Sequence, residues 1–188
     1  IHARVPVLIE EGKGPAGNPW GVSFLAMFHM SNDSHLFRTA AQLREQGFER
    51  EGSVWQKGEE RYVPLYEAKL LHQFDHRWAS YGGPGRWEDE PEAGGPSLER
   101  PPRQPDEAVA LTLAAKQDPA LVVLPRYWVP ESEVTARLAR RGWPHRWLLG
   151  WRDIARSTDE RTVIASVLPA VGVGDRFLLL LPSQDCQE

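Results

Sequence analysis

The chain of 188 residues has little of what marks several functional classes. Its one cysteine, Cys186, excludes a disulfide within the chain, and such sparse use of cysteine predicts a reducing, cytoplasmic location. No aliphatic and aromatic run is longer than Phe177–Leu181, which is far short of the roughly 20 apolar residues that a membrane span needs, so no membrane partner is expected. The formal net charge of −4 gives no basic character to the chain as a whole.

Familiar catalytic motifs are absent as well. The glycine-containing segment 12–17 lacks a Gly-Lys-Ser/Thr ending, which predicts a turn rather than a phosphate-binding loop. No Gly-x-Ser-x-Gly element supports a serine hydrolase, and Cys186 has no basic neighbours that would activate a thiol. We therefore expect no catalytic residue and no bound cofactor or metal in this chain.

What is present is ordinary globular composition, with 41% hydrophobic and 26% charged residues, which excludes a disordered or fibrous chain. Apolar periodicity predicts strands at 4–9, 22–30, 121–124, 147–154 and 162–168, and helices at 36–46, 108–116 and 130–141. Residues 52–65 are predicted as loop and short strand, interrupted by Pro64. This irregular alternation predicts an α+β fold, with a mixed, largely antiparallel sheet, a few short flanking helices and a long Pro/Gly-rich loop. Residues 1–188 are interpreted as one domain, and the missing initiator methionine suggests a piece of a larger chain.

Charge is unevenly distributed along the chain. Residues 61–86 carry a net +2 and residues 126–161 a net +3, whereas residues 87–107 between them carry −5. Of the 24 residues 82–105, 11 are glycine or proline, so 82–107 is predicted to be a flexible acidic insertion. The two basic stretches both contain tryptophan, which makes a binding function worth testing against the alternative of a solvated surface.

The first basic stretch contains a histidine pair. His72 and His76 would share a helix face with Asp75 beside them, which is compatible with a metal site and, as a remote alternative, with a metal-dependent nuclease. However, Gln73 stands where a two-histidine zinc enzyme carries its glutamate, and no cysteine or further histidine supports the pair. Structural histidines are the favoured interpretation.

The second basic stretch interleaves Arg152, Arg156 and Arg161 with acidic residues. One interpretation is a salt-bridge network that fixes a loop between two strands. The other is that some of these arginines contact DNA phosphates or base edges, to which a planar guanidinium can bond with two hydrogen bonds. Both interpretations stay open at this point.

These two stretches also carry a family resemblance. Residues 63–78 (VPLYEAKLLHQFDHRW) and 147–169 (WLLGWRDIARSTDERTVIASVLP) resemble the C-terminal region of large adenine-specific (N6) DNA methyltransferases, of the type IIG-like restriction–modification kind and of phage-defence systems. Segments 31–44 and 125–130 fit the same region in the same order. Ala68 departs from the glycine that usually precedes the lysine in related domains, which argues against a special turn at Lys69.

The resemblance implies a target-recognition domain, which grips double-stranded DNA and reads its sequence while a separate catalytic domain of the same parent chain methylates adenine. S-adenosylmethionine would be the cofactor of that parent enzyme, and whether the parent also cleaves DNA is left open. The candidate DNA-binding residues are Lys69, His72, Gln73, Arg77, Arg152, Arg156 and Arg161. The side chains expected in the core instead are Tyr66, Phe74, Trp147, Leu149 and Trp151.

A protein-docking module of a phage-defence complex is the alternative function. The net negative charge, the acidic Pro/Gly-rich segment and the eight tryptophans fit such a module. Salt dependence separates the two functions, because DNA affinity falls steeply as counterions compete for the phosphates.

Overall fold

A computed structural model describes residues 5–81, 107–157 and 159–183. The fold is mixed α+β with mostly antiparallel sheets, which confirms the predicted class. The strands are β1 (Ser23–Leu25), β2 (Glu49–Glu51), β3 (Val54–Lys57), β4 (Glu60–Tyr66), β5 (Ala79–Ser80), β6 (Val109–Ala110), β7 (Trp128–Pro130), β8 (Trp147–Arg152), β9 (Ala165–Pro169), β10 (Gly172–Val173) and β11 (Phe177–Leu181). The α-helices are α1 (Ala40–Glu45), α2 (Leu113–Gln117) and α3 (Glu131–Ala139). Nearly all of the predicted insertion at 82–107 lies outside the described residues.

The strands form two larger sheets. The first has the order β1-β11-β8-β9, and every pairing in it is antiparallel. The second runs β10-β4-β3-β2, with β7 also paired to β4, and its β10–β4 contact is parallel. Strands β5 and β6 pair separately. Among the described residues, no helix is long and apolar enough to cross a membrane.

Alternation along the strands determines which side chains enter the core. In the first sheet, Leu148, Leu168, Phe177 and Leu179 are all at most 1% exposed and share one apolar cluster with residues of the second sheet. Gly150 allows the close approach of β11, because a Cβ at that position would lie 2.5 Å from the Leu178 carbonyl oxygen. Burial of apolar surface in this cluster is the main stabilising contribution to the fold.

A second, smaller cluster lies under α1. Leu43 on that helix packs with Phe48, Trp55 and Trp128, and the two indole rings meet edge to face. Thr39 begins the helix with a capping box, because its side chain accepts from the Gln42 N–H while the Gln42 side chain accepts from the Thr39 N–H.

Several predicted elements correspond to the structure, and α3, β8 and β9 lie within or close to the ranges expected for them. The strand predicted at 4–9 is wrong, because residues 5–9 are exposed and form no strand. The strand predicted at 22–30 is only three residues long, since the chain bends so that Phe28 can form a bridge with Gly174. The helix predicted at 36–46 begins only at Ala40, because the backbone of Arg38 is extended and bridges Trp128.

The remaining differences involve short segments. Residues 52–65, predicted as loop and short strand, form a two-stranded hairpin, and Pro64 does not interrupt it but lies within β4 opposite Trp128. The predicted helix at 108–116 begins only at Leu113, after β6. No strand forms at 121–124, where Leu124 is instead bonded to Ser80 and Tyr81. Local apolar pattern could not distinguish the outcomes at 108–116 and 121–124, because β6 and Leu124 bond to residues 79–81, which are distant in sequence.

Candidate nucleic-acid interface

The turn at residues 72–75 is the most unusual feature of the first basic stretch. The His72 N–H donates to the Asp75 carbonyl at 2.8 Å, and the Asp75 N–H donates back at 3.0 Å. At the third position of this turn, Phe74 has a φ of 57°, where glycine is usually favoured. Phe74 is also 86% exposed, so the expectation that it belongs to the core is wrong.

The 72–75 turn is fixed to the edge of the first sheet. The Phe74 N–H donates to the Ala165 carbonyl at 2.8 Å, and the Gln73 Oε1 accepts from the Ala165 N–H at 2.8 Å. These bonds satisfy backbone groups of β9 that have no strand partner on that side. The side-chain oxygen of Gln73 is therefore occupied within the fold, and the predicted role of Gln73 at a base edge gains no support from this placement.

Arg152, at the end of β8, is also used within the fold. Its Nε donates to the Ala68 carbonyl at 3.1 Å, and its Nη2 donates to the Leu71 carbonyl. The side chain is half-buried, and this burial lowers the pKa of its guanidinium. Arg152 thus connects β8 to the short 3-10 helix at Ala68–Leu70.

Arg77 has a comparable role at α2. Its Nη2 donates to the Lys116 carbonyl at 2.8 Å and its Nη1 to the Asp118 carbonyl at 3.4 Å, which satisfies carbonyls at the C-terminus of that helix. Asp75 binds the same helix through a 2.5 Å contact with Lys116 Nζ. Arg77 and Asp75 together hold the 72–75 turn against α2.

His72 and Lys69 lie at the border of this region. The His72 ring stacks on Trp78 with centroids 4.2 Å apart, and it is half-buried. Lys69 is exposed, with its Nζ 3.3 Å from Glu67 Oε2 and 4.9 Å from the centre of the Tyr81 ring. A DNA contact stays a prediction for both, and the ammonium of Lys69 is the more accessible of the two groups.

The histidine pair does not form part of a metal centre in the described portion of the chain. No group of three or more histidine, cysteine or acidic side chains is arranged there to hold a metal ion. Asp75 is occupied by Lys116 and by the Arg77 N–H, and burial lowers the pKa of the His76 imidazole, which favours its neutral form. Stacking of His72 on Trp78 agrees with the structural interpretation of these histidines.

The loop that joins β8 to β9, residues 153–164, carries the two exposed arginines Arg156 and Arg161. Asp159 accepts from the Arg156 backbone N–H at 2.8 Å, while Asp153 pairs with Arg176 at 2.9 Å. The guanidiniums of Arg156 and Arg161 form no ion pair or hydrogen bond with another described residue. The salt-bridge network considered from the sequence is therefore not seen at these two arginines, whose side chains are accessible to a ligand.

The 72–75 turn and the β8–β9 loop lie side by side. The 72–75 turn is bonded to Ala165, and the β8–β9 loop ends immediately before that residue, closed by the Arg152 N–H donating to the Ile164 carbonyl at 2.9 Å. Ile154 and Val163, at the two ends of the loop, are 62% and 59% exposed. We call this region the edge surface and define it by Phe74, Ile154, Arg156, Arg161 and Val163.

The outer face of the first sheet is a second accessible region. Side chains that point away from the core are apolar on all four strands, with Trp151 meeting Phe24 edge to face at 5.5 Å. The other members of this outer face are Leu149, Val167, Leu178 and Leu180. Leu149 and Trp151 therefore lie on the face opposite the core, and Trp147 is 37% exposed, so the expectation that these three are core residues is wrong. Tyr66 is buried as expected, and burial raises its pKa to about 12.

Comparison of the chain with protein-family models, with curated proteins and with solved structures gives no significant match.

Proposed function

We propose that this chain is a DNA-binding target-recognition domain that grips duplex DNA through its edge surface. The supporting observation is the pair of exposed guanidiniums of Arg156 and Arg161, which have no partner among the described residues, on a loop anchored beside an exposed aromatic side chain. Arginine on a protein surface can bond phosphate oxygens with both ends of its fork and can read guanine in the major groove.

The predicted site residues divide into two groups under this proposal. Arg152, Arg77 and Gln73 fix the 72–75 turn and the segment before it against β8, α2 and β9 through their hydrogen bonds within the fold. Arg156 and Arg161 contact the DNA, with Lys69 as a further phosphate contact at the border. This division is physically reasonable, because a recognition surface needs groups that fix its geometry as well as groups that touch the ligand.

The wider role follows from the resemblance. The domain would belong to an adenine-specific DNA methyltransferase of a restriction–modification or phage-defence system, acting in the cytoplasm. The parent's separate catalytic domain would bind S-adenosylmethionine and methylate a flipped adenine. An enzyme that takes a base out of the stack needs the neighbouring duplex to be held and its sequence checked.

Protein docking is the second candidate function, and the apolar outer face of the first sheet is the observation that favours it. Contiguous apolar surface of this kind marks interaction sites in soluble proteins. The occupant we consider is the catalytic methyltransferase domain of the same parent chain. Docking on this face and DNA binding at the edge surface use different side chains, so both functions can coexist.

The first experiment is binding of the chain to a fluorescent random-sequence duplex at about 50 and about 200 mM salt. If two phosphates are contacted, the affinity should fall about tenfold between these concentrations, and more contacts should give a steeper fall. Binding that does not change with salt, or no binding at either concentration, would contradict the DNA-binding proposal and favour docking.

A further inference from the structure

We propose that Phe74 is a preformed aromatic wedge that inserts into the base stack of the duplex gripped by Arg156 and Arg161. This inference rests on the proposed function and adds a specific interaction to it: the contact with the bases themselves. It assigns a role to the residue that sequence patterning placed in the core and that the structure places at the surface.

The exposure of Phe74 sets it apart from the other phenylalanines. The chain has six phenylalanines, and four of them, Phe28, Phe37, Phe48 and Phe177, are at most 7% exposed, while Phe24 is half-buried on the outer face. Phe74 is 86% exposed. A phenyl ring held so far out in water lacks the hydrophobic stabilisation that the others gain, and a ligand that covers it would supply that stabilisation on binding.

The backbone at Phe74 adds a second, independent indication. Its φ of 57° lies in the left-handed region, which is unfavourable for a residue with a bulky side chain. Glycine or asparagine would occupy this position at lower energy. Backbone strain of this kind is concentrated at functional sites, where the surrounding structure enforces it.

The surrounding structure does enforce it here. The Phe74 N–H donates to Ala165 of β9, His72 and Asp75 close the turn by donating to each other's carbonyls, and Lys116 binds the Asp75 carboxylate. The ring is therefore presented on a fixed backbone. A preorganised group loses little conformational entropy when it binds, so more of its contact energy contributes to affinity.

Two guanidiniums without partners among the described residues, on the loop that also carries Asp159 and Glu160, favour nucleic acid over protein as the ligand that covers the ring. Arg156 and Arg161 lie on the loop beside Phe74, where they could hold the phosphates that flank an opened base step. Apolar side chains that enter duplex DNA between base steps are accompanied by such basic contacts. Aromatic rings also stack on every base, so a wedge of this kind does not depend on the recognised sequence.

The test compares an intact duplex with one that differs from it only by a central mismatched base pair. Opening the base stack requires less energy at the mismatch. The wild-type chain should bind the mismatched duplex more tightly than the intact one. Phe74→Ala should lose roughly 5- to 150-fold in affinity for the mismatched duplex, and the ratio between the two duplexes should approach one. Phe74→Trp should keep the preference, because it keeps an aromatic ring at the same position.

A matched control is Trp20→Ala. Trp20 is a partly exposed aromatic residue just before β1, at the end of the first sheet opposite to Ala165, since Ser23 pairs with Leu181 whereas Phe177 pairs with Arg152. This variant should keep the mismatch preference of the wild type. Circular dichroism of each variant checks that the fold is unchanged.

The outcomes separate the wedge from the proposed function. If the wild type binds DNA in a salt-dependent way but Phe74→Ala keeps full affinity and the same preference, the wedge is overturned and the DNA-binding proposal stands. If the wild type binds neither duplex at low salt, both are overturned, and the exposed ring would instead belong to a protein contact.

Discussion

Arg152 Nε donates to the Ala68 carbonyl at 3.1 Å, joining β8 to the 3-10 helix at Ala68–Leu70, since Ala68 lies 84 residues earlier in the chain. In the sequence, this arginine suggests a DNA contact. In the structure, Arg152 instead supports the edge surface through hydrogen bonds within the fold. Arg156, four residues later, has no comparable internal contact among the described residues. Two arginines of one motif thus have different physical roles, and each role can be tested.

Arg152→Met should destabilise the fold without changing the DNA contacts themselves. The substitution removes the Arg152 donor from the Leu71 carbonyl and leaves the Ala68 carbonyl with only the Leu71 N–H, which should lower the free energy of unfolding by about 1–3 kcal/mol. Urea denaturation measures this difference. DNA affinity, compared at equal concentrations of folded protein, should match the wild type, whereas a loss of affinity with unchanged stability would show that Arg152 contacts DNA.

The double variant Arg156→Ala/Arg161→Ala should have the opposite profile. Its stability should stay within about 0.5 kcal/mol of the wild type, because both side chains are exposed. The slope of log affinity against log salt should become shallower by about 1.8, since two phosphate contacts are lost at about 0.9 each. Fluorescence anisotropy over a series of salt concentrations measures both affinity and slope.

The charge-matched control for that variant is Arg141→Ala/Arg146→Ala. Both residues are exposed and precede β8, and Arg146 is about 20 Å along the strand direction from Arg152. The control removes the same charge from the segment between α3 and β8, and it should leave the salt slope unchanged. Equal slopes for the two double variants would mean that only net charge matters, contrary to a localised interface.

Phe74→Gly should stabilise the fold even though it removes a large side chain. Glycine adopts a φ of 57° without steric strain, and the ring that it removes is almost fully exposed. The expected gain in the free energy of unfolding is about 1 kcal/mol, measured by thermal or urea denaturation. Gln73→Gly, at the neighbouring position, should instead lower stability, because it loses the hydrogen bond with the Ala165 N–H.

The pair of Asp33 and Arg137 should make stability depend on pH in the acid range. Asp33 Oδ1 accepts from Arg137 Nη2 at 2.8 Å, and this hydrogen bond holds the pKa of the Asp33 carboxyl below its ordinary value near 3.8. The unfolded chain therefore binds a proton at a higher pH than the folded chain does. The stabilisation is present above the ordinary pKa and is lost as the pH falls through the lowered folded pKa.

Asp33→Asn tests this directly. The variant should be less stable than the wild type by about 1–2 kcal/mol at pH 7, because a hydrogen bond to a charged group between two largely buried side chains is weakened. The difference should shrink as the pH falls below about 4. Urea denaturation at pH 7 and pH 3 measures both values, and a difference that is the same at the two pH values would contradict the role assigned to Asp33.

The sequence predicted the fold class and the elements whose pattern is strong over several residues. Helix α3 begins after Pro130 and carries Glu131 near its start, and both signals are local. Strands β8 and β9 were evident from their apolar residues, but which face would be buried was not. In β8, Leu148 and Gly150 face the core while the larger Trp151 faces outward. Only glycine fits at position 150, because a Cβ there would collide with the Phe177 ring and the Leu178 carbonyl of β11.

The candidate site was predicted in part and for similar reasons. Residue type alone located the two basic stretches, which the structure places next to each other through the contact of the 72–75 turn with Ala165. No local signal could show that Arg152 and Gln73 are used within the fold, since their partners lie 81–92 residues away. Phe74 was missed for the same reason: an isolated phenylalanine among polar residues is exposed only because the neighbouring backbone holds it there.

The sequence by itself therefore determined composition, charge distribution, the α+β class and the chemical types available for binding, because these depend on residues close together in the chain. Only the tertiary structure decided which arginines are accessible, which sheet face is buried and that an aromatic ring lies at the surface. Those properties follow from hydrogen bonds and packing between distant segments, in which Ala68, Leu71 and Ala165 take part through their backbones alone. Because every residue has a backbone carbonyl, no sequence pattern marks the carbonyls to which an arginine donates.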